Sequence, residues 1–177
     1  MNQRLWKECS ELHGHICGGL AMGYRAAEVA MRELGLDIEK TEDEELVCVA
    51  ENDACGIDSI QQLLSCTLGK GNLIIRLRGK PAYSFFDRRT GKKVRIVAKP
   101  FDRDCTKEKA IDHFLNDPVP EVFNIKIPGY DIPERAKIFD SVQCECCGES
   151  AREDLIRLHN GKKLCLDCFD EYRPRYE

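Results

Sequence analysis

Four cysteines near the C-terminus have the spacing of a zinc site. Cys144 and Cys147 form one Cys-x-x-Cys pair, and Cys165 and Cys168 form a second pair after 17 intervening residues. Each pair bends the backbone so that both sulfur atoms face one point, and four such thiolates suit a structural zinc ion. We therefore predict that these cysteines bind one structural Zn. A four-sulfur site has no open position, so this zinc is not expected to act in catalysis.

A second group of ligand-type residues lies near the N-terminus. His13, His15 and Cys17 fall within five residues, and Cys55 follows further along the chain. Imidazole and thiolate ligands together suit transition metals of intermediate softness. If Cys17 and Cys55 each begin a helix, the positive end of the helix dipole would lower the pKa of both thiols. Asp58 would lie at the mouth of the second helix.

Residue types alone leave two interpretations of this second group open. In the first, the group binds a metal or its thiols are reactive. If the protein is an enzyme, a second transition metal would be bound by His15, Cys17 and Cys55, with an open position for substrate or water. His13 would then be a fourth ligand or a proton carrier. In the other, one histidine caps a helix and the cysteines are buried free thiols, which are common in protein cores.

The elements that would position these residues follow from hydrophobic periodicity. Apolar residues three or four positions apart predict a helix from Leu20 to Leu34, ended by Gly35. The apolar run Leu46–Ala50 predicts a buried strand that includes Cys48. A second helix is predicted from about Cys55 to Leu68, behind the capping residues Asn52 and Asp53; it would place Cys66 in the core.

From Asn72 the apolar period changes to two, which is typical of strands. A three-stranded antiparallel run is predicted through 73–78 and 94–99, with turns at 79–81 and 89–92. A helix capped by Thr106 and a last strand at 122–127 follow. The predicted fold class is α+β, with a core of helix, strand and helix plus antiparallel strands. The predicted domains are a core at 1–140 and a four-cysteine zinc-binding domain at 141–177.

Within the zinc-binding domain, the sequence predicts a hairpin and a helix. Residues 155–158 and 162–164 flank Asn160-Gly161, a strong signal for a tight hairpin turn. A helix is predicted to start at Phe169–Tyr172, directly after the second cysteine pair. This order of a cysteine knuckle, a hairpin and a second knuckle that opens a helix is typical of a small finger of the treble-clef or ribbon-like type. Cys146 lies between two ligands and is predicted to point away from the metal.

Composition narrows the possible function classes. The chain has 177 residues, eleven cysteines and a net charge of −4, so no global positive charge favours nucleic acid or an anionic membrane. No apolar run approaches the roughly 18 residues that could span a bilayer. The charged N-terminus lacks the apolar stretch of a signal peptide, so we expect a cytoplasmic protein whose cysteines are ligands, reactive thiols or core residues.

One stretch is locally basic. Between Arg76 and Lys99 there are nine lysines or arginines and one acidic residue, Asp87. Such a run could contact phosphates, with Tyr83 and two phenylalanines available for stacking on bases. The alternation of charged and apolar residues favours instead the solvated face of a hairpin. We therefore do not expect nucleic acid to be the partner. An anionic small molecule or an acidic surface, including the chain's own Glu39–Glu45 segment, fits the basic stretch better.

Four motifs together resemble the FmdE family of formylmethanofuran dehydrogenase proteins. They are the pattern His-Gly-His-x-Cys-x-Gly at 13–19, Cys-Gly-Ile-Asp-Ser-Ile-Gln at 55–61, and the stretches 67–73 and 79–85, followed by the four-cysteine finger. The resemblance covers nearly the whole chain. Gly18 and Ser59 depart from the family pattern, in which proline and alanine are expected.

The resemblance implies an α+β core with an appended zinc finger, a homodimer, and a metal or active site at His13, His15, Cys17 and Cys55. The family takes its name from a complex that uses a molybdenum or tungsten cofactor. The leading hypothesis is a cytoplasmic metal-binding protein. It would be either an accessory or metal-handling partner of a molybdenum or tungsten oxidoreductase, or a free-standing enzyme. The alternative is a partner- or nucleic-acid-binding zinc-finger module with a dimerising core.

Overall fold

A computed structural model describes residues 1–36, 44–102 and 105–170. The chain divides into two compact units, Met1–Ala136 and Lys137–Glu177. The domains predicted at 1–140 and 141–177 stay a prediction. Most of the acidic segment predicted at Glu39–Glu45 lies outside the described residues. Among the described helices, none is both long enough and apolar enough to cross a membrane.

The described residues of the first unit include five helices, and the first and the last of them were not predicted. They are α1 (Gln3–His13), α2 (Gly18–Leu34), α3 (Gly56–Leu64), α4 (Lys107–Asn116) and the short α5 (Val119–Val122). Asn2 caps α1, with its side-chain oxygen accepting from two backbone N–H groups of the first turn. The structure confirms that α2 ends at Gly35, which has a left-handed φ of 68°, and that Thr106 caps α4.

The second predicted helix is shorter than expected. Helix α3 ends at Leu64 instead of Leu68, because Ser65 adopts a left-handed φ of 54°. The side chain of Asn72 then holds the exit loop: its amide donates to the carbonyl of Ser65, and its Oδ1 accepts from Thr67 N–H. Because the buried side chain of Asn72 satisfies several backbone groups of this loop, it fixes the conformation of the loop.

The strands described in the first unit form one mixed sheet. They are β1 (Leu46–Ala50), β2 (Leu73–Ile75), β3 (Ala82–Asp87), β4 (Lys93–Ala98) and β5 (Phe123–Lys126), in the order β2-β1-β3-β4-β5. The predicted antiparallel run is wrong at its first strand, since β2 pairs with β1 in parallel. The physical reason is that α3 carries the chain back across the sheet between them, as parallel neighbours require. The pairs β1–β3, β3–β4 and β4–β5 are antiparallel.

Strand β1 is buried over its whole length because both faces of the sheet are covered. Its Cys48 belongs to the main core with α2 and α3, and Cys66 is buried in the same cluster, as predicted. On the other face, Val47, Val49 and Phe86 form a smaller apolar cluster against Tyr130. The α+β fold class is therefore confirmed, with α2 packed against β3 and β4 of the sheet, and with α1 and α3 packed against α2 and against each other.

The described part of the second unit consists mainly of two hairpins. These are β6 (Ser141–Gln143) with β7 (Ser150–Arg152), and β8 (Arg157–His159) with β9 (Lys162–Leu164); a single 3₁₀ turn, Glu153–Leu155, joins them. The predicted turn at Asn160-Gly161 is confirmed, with φ of 51° and 77°. Strand β8 starts at Arg157 instead of Leu155. Of the helix predicted at Phe169–Tyr172, Phe169 and Asp170 are not helical, and the rest lies outside the described residues.

Candidate metal centres

The second unit brings its four predicted zinc ligands together. The sulfur atoms of Cys144, Cys147, Cys165 and Cys168 all lie within 4.8 Å of one another, and those of Cys147 and Cys165 are 3.9 Å apart. Two Zn–S bonds of about 2.3 Å at a tetrahedral angle would separate two sulfur atoms by about 3.8 Å. The cluster therefore has the composition and dimensions of a structural zinc site.

Local backbone geometry prepares this cluster for a metal. Gly148, with φ of 78°, closes the first knuckle by donating its N–H to the carbonyl of Cys144. Backbone N–H groups of Cys147, Cys165 and Cys146 point at the Cys144 sulfur and lower the pKa of that thiol to about 6. The fold thus favours the thiolate form of Cys144, whereas neighbouring sulfur atoms raise the pKa of Cys147 and of Cys168. The side chain of Cys146 is exposed, as expected for a residue between two ligands.

A second cluster of four ligand atoms lies in the first unit. The structure places one ligand atom each from His13, His15, Cys17 and Cys55 within 4.8 Å of one another. His13 is the last residue of α1, Cys17 is the N-cap of α2 and Cys55 is the N-cap of α3. Among the described residues, three or more potential ligand side chains come this close together in these two clusters and in no other group.

The turn between α1 and α2 brings three of these ligands together. Gly14 ends α1 with φ of 82°, a conformation that favours glycine, and its N–H donates to the carbonyl of Ser10. The chain then reverses into α2, where the Cys17 sulfur accepts the N–H of Leu20 at 3.3 Å. The prediction that Cys17 stands at a helix start is confirmed. The sequence reasoning missed α1, and with it the reason why His13 is fixed.

Two glycines allow the fourth ligand to approach. A Cβ atom on Gly23 would lie 2.1 Å from the carbonyl oxygen of Gly56, so α2 and α3 touch backbone to backbone. The buried hydroxyl of Ser59 donates to the carbonyl of Leu20 at 2.9 Å and ties the same two helices together. Close contact here sets the N-terminus of α3, and therefore Cys55, beside Cys17. These roles of Gly23 and Gly56 were not predicted, although glycine inside a helical pattern is a signal of close packing.

Asp58 orients His13. Its Oδ2 lies 2.6 Å from His13 Nδ1, and His13 Nε2 lies 3.9 Å from the Cys17 sulfur. A carboxylate that accepts the Nδ1 proton leaves Nε2 as the lone-pair donor, the usual arrangement for a histidine that binds a metal. Because α3 carries both Asp58 and Cys55, one helix supplies a ligand and the group that holds another ligand.

Burial differs among the four side chains. His15 is exposed, whereas His13, Cys17 and Cys55 are half-buried, and only 11% of the His13 side chain is accessible. The His15 ring lies beside the His13 ring with a centroid distance of 4.3 Å. His15 is therefore the member of the cluster that solvent reaches most easily.

The predicted lowering of the Cys55 pKa is wrong. Burial raises the pKa of Cys55, and the adjacent Cys17 raises it further, through a hydrogen bond that favours the protonated thiol and through the repulsion between two thiolates. Although Cys55 is the N-cap of α3, its sulfur makes no capping hydrogen bond within the described part of the chain. At the helix start, the backbone N–H of Cys55 favours the thiolate less than burial and Cys17 oppose it, so a metal ion would have to displace the proton.

The basic stretch is largely engaged within the first unit. Arg95 makes two hydrogen bonds to the buried carboxylate of Glu51, at 2.6 and 2.8 Å, and holds the pKa of Glu51 below its usual value. Arg88 donates to the carbonyl of Pro133, and Arg76 lies over the ring of Tyr130. The predicted solvated face is thus partly covered by residues near Tyr130, which leaves less free charge for phosphates.

Comparison with known proteins agrees with this division into two units. Residues 12–124 match the family model described as FmdE, molybdenum formylmethanofuran dehydrogenase operon. Residues 137–174 match the model of the prokaryotic dksA/traR C4-type zinc finger. The first match contains His13, His15, Cys17 and Cys55, and the second contains all four finger cysteines.

Two individual proteins are similar to most of the chain. A probable S-adenosyl-L-methionine-binding protein of Archaeoglobus fulgidus is 30% identical over 96% of this chain, but the chain spans only 53% of that protein. The crystal structure of a tungsten formylmethanofuran dehydrogenase FmdE-like protein from Syntrophus aciditrophicus has a TM-score of 0.68 at 21% identity. The match covers 92% of this chain and 88% of the crystallised one, which shows a shared fold.

Proposed function

This chain belongs to the FmdE family, and from that premise we propose that its core cluster binds a transition metal at a site with one exchangeable position. Cys17, Cys55 and His13 would be the fixed ligands, and the exposed His15 would be the ligand that substrate or water replaces. A metal held in this way supplies Lewis acidity and can lower the pKa of bound water. The zinc of the finger would have only a structural role.

The observation that carries this proposal is the convergence within 4.8 Å of four potential ligand atoms, from the end of α1, the turn after it and the starts of α2 and α3. For a tetrahedral zinc, a bound sulfur and a bound nitrogen would be about 3.6 Å apart. The measured 3.9 Å between Cys17 Sγ and His13 Nε2 agrees with that spacing. The hydrogen bond from His13 to Asp58 further supports metal binding over a capping role, because it turns the free nitrogen toward Cys17.

A role as a metal-handling partner of a molybdenum or tungsten oxidoreductase is the second candidate. The exposure of His15 favours it, because an accessible ligand can be exchanged for a ligand of an acceptor protein. The two candidates differ in what happens to the metal. A free-standing enzyme keeps its core metal when incubated with a chelating acceptor, whereas a metal-handling protein releases it within the time of the assay.

Metal analysis of the purified protein tests the proposal. We expect about two metal ions per chain, and about one in the Cys17→Ala/Cys55→Ala variant. His15→Ala should keep the core metal, since three ligands remain. Cys105→Ala/Cys146→Ala is the matched control, because it also removes two thiols, both outside the clusters, and should leave the metal content unchanged. One metal per chain in the wild type, unaffected by the first variant, would contradict the proposal.

The homodimer, the cytoplasmic location and the partner-binding finger stay predictions. Leu158 and Leu166 are exposed on the finger unit, which fits a surface that contacts another protein. Analytical ultracentrifugation decides the oligomeric state: a single species of about 20.2 kDa would contradict the homodimer.

A further inference from the structure

A pocket of about 580 Å³ opens beside the core cluster in the first unit. Its walls come from the first turns of α2, the end of β4, the segment that follows β4, and α4. Most of the lining is apolar, including Met22, Ala98, Phe101 and Phe114. This volume lies within the range of roughly 300–1,000 Å³ that is usual for small-molecule sites.

The aromatic wall of the pocket is held in place from behind. Phe101 stacks on the ring of His113, with centroids 4.1 Å apart and an angle of 11° between the planes. His113 is itself fixed by Asp117, whose Oδ2 lies 2.6 Å from His113 Nδ1. An aromatic side chain positioned in this way offers a pre-arranged flat surface, which reduces the entropy lost when a ligand binds.

The floor of the pocket adjoins the two core sulfur atoms. Gly18 and Gly19 line the pocket. A Cβ atom on Gly19 would lie 3.8 Å from the Cys55 sulfur and 3.9 Å from the Cys17 sulfur. Gly19 has no side chain and therefore forms a thin wall between the pocket and the two sulfur atoms, so the donor arm of a bound molecule has to pass only this residue to reach a metal held by these cysteines.

We propose that this pocket binds the apolar body of a small molecule whose single soft donor group, of the thiol class, coordinates the core metal. The inference rests on the proposed function, because the donor needs a metal at the cluster. The apolar walls exclude water and select the body of the ligand. The thiol takes the exchangeable position, where a third sulfur suits a centre that already has two thiolates.

Two thiols with different bodies serve as probes. Phenylmethanethiol carries an apolar ring, whereas 2-mercaptoethanol has the same donor and a polar body. The protein is loaded with Co²⁺ under anaerobic conditions, and the core signal is the absorption difference from Cys17→Ala/Cys55→Ala. We expect phenylmethanethiol to half-saturate this signal at a concentration at least ~10-fold lower than 2-mercaptoethanol does, because binding buries its apolar ring in the pocket.

Variants of the pocket wall test the role of the pocket independently of the metal. Phe101→Ala should weaken phenylmethanethiol binding by about 10-fold and leave 2-mercaptoethanol unchanged. Ala98→Leu, which fills the pocket from β4, should do the same if Phe101→Ala perturbs the fold. Phe139→Ala removes a half-buried phenylalanine from the finger unit and is the control. The chain has three methionines, so the ¹³C-methyl shift of Met22 gives a second readout, independent of the metal.

The outcomes distinguish this inference from the proposed function. A core cobalt signal with equal affinity for both thiols, and no effect of Phe101→Ala or Ala98→Leu, overturns the pocket inference alone. Absence of a core cobalt signal overturns the proposed function, and with it the coordination of a ligand from the pocket. A Met22 shift on adding phenylmethanethiol, lost in Ala98→Leu, together with the affinity difference, supports the inference.

Discussion

The finger cluster and the core cluster contain the same number of potential ligands but are assembled differently. In the finger, two local knuckles each supply two sulfur atoms, and the surrounding hairpins are short. In the core, the ligands come from the end of α1, the turn after it and the starts of α2 and α3. We therefore expect the finger to depend on its metal for folding, and we expect the first unit, which has its own apolar core, to fold without one.

The two clusters also differ in how accessible a bound metal would be. All four finger ligands are thiolates, so the coordination sphere is complete. The core cluster mixes thiolates with imidazoles, has one exposed member in His15, and adjoins an apolar pocket across Gly19. A structural site gains from having no free position, and a reactive site needs one. We propose that the finger cluster has the first arrangement and the core cluster the second.

The largest effect is expected when the finger loses a ligand. In Cys165→Ala the zinc is lost and the second unit unfolds, because structural zinc contributes about 10–16 kcal/mol in comparable peptides. The first unit has its own apolar core and should stay folded. Amide NMR together with zinc analysis checks both statements. Cys146→Ala is the control, and a finger that keeps dispersed signals without zinc would refute this dependence.

A glycine substitution tests whether the core cluster depends on close helix packing. In Gly23→Ala the new methyl group overlaps the Gly56 carbonyl, so we expect a loss of about 3 kcal/mol in the free energy of unfolding of the first unit. The affinity of the core cluster for its metal should fall in parallel, and the zinc content of the finger should not change. Urea denaturation measures the loss. Gly69→Ala is the matched control, since no described atom lies within 4 Å of that position; equal stability of the two variants would argue against the packing account.

The orientation of His13 should matter to the core metal and not to the finger. In Asp58→Asn the carboxylate no longer holds His13 Nδ1–H, and we expect the core metal affinity to fall by about 10–100-fold, as is usual for such outer groups. Competition with a chromophoric chelator measures this change. The pair of His113 and Asp117 has the same 2.6 Å hydrogen bond away from the cluster, so Asp117→Asn is the control. Similar losses in both variants would mean that the effect is not specific to His13.

The smallest effect is expected at Ser59. Its hydroxyl donates to the Leu20 carbonyl inside the helix contact, and Ser59→Ala should cost about 1 kcal/mol of stability while the metal content is unchanged. Alanine is the residue that the family pattern leads one to expect here, so the helices must tolerate it. Thermal unfolding monitored by circular dichroism measures the shift. A loss of core metal in this variant would show that the hydrogen bond positions the ligands as well.

The two clusters also differ in how far they could be predicted. The finger ligands are close in sequence and their geometry is set by each knuckle, so spacing alone identified all four, together with the turn at Asn160-Gly161. The core ligands were identified by residue type and by resemblance. Their convergence depends on the contact between Gly23 and Gly56, which is not visible in local patterns.

Two features of the fold were missed for related reasons. Helix α1 is amphipathic but rich in charged residues, so its few apolar positions gave a weak signal, and the fixed place of His13 was missed with it. Strand β2 has only three residues, and period-two alternation does not say which strand is its neighbour. Parallel pairing with β1 follows from the crossover by α3, a matter of topology.

Zinc K-edge X-ray absorption of the wild type and of Cys17→Ala/Cys55→Ala tests the central claim most directly. With one finger zinc and one core zinc, the wild type should show an average of about three sulfur and one nitrogen ligands per zinc. The variant should show about four sulfur ligands and half the zinc, since only the finger site remains. A wild-type spectrum with four sulfur ligands and no nitrogen would contradict a metal at His13, His15, Cys17 and Cys55.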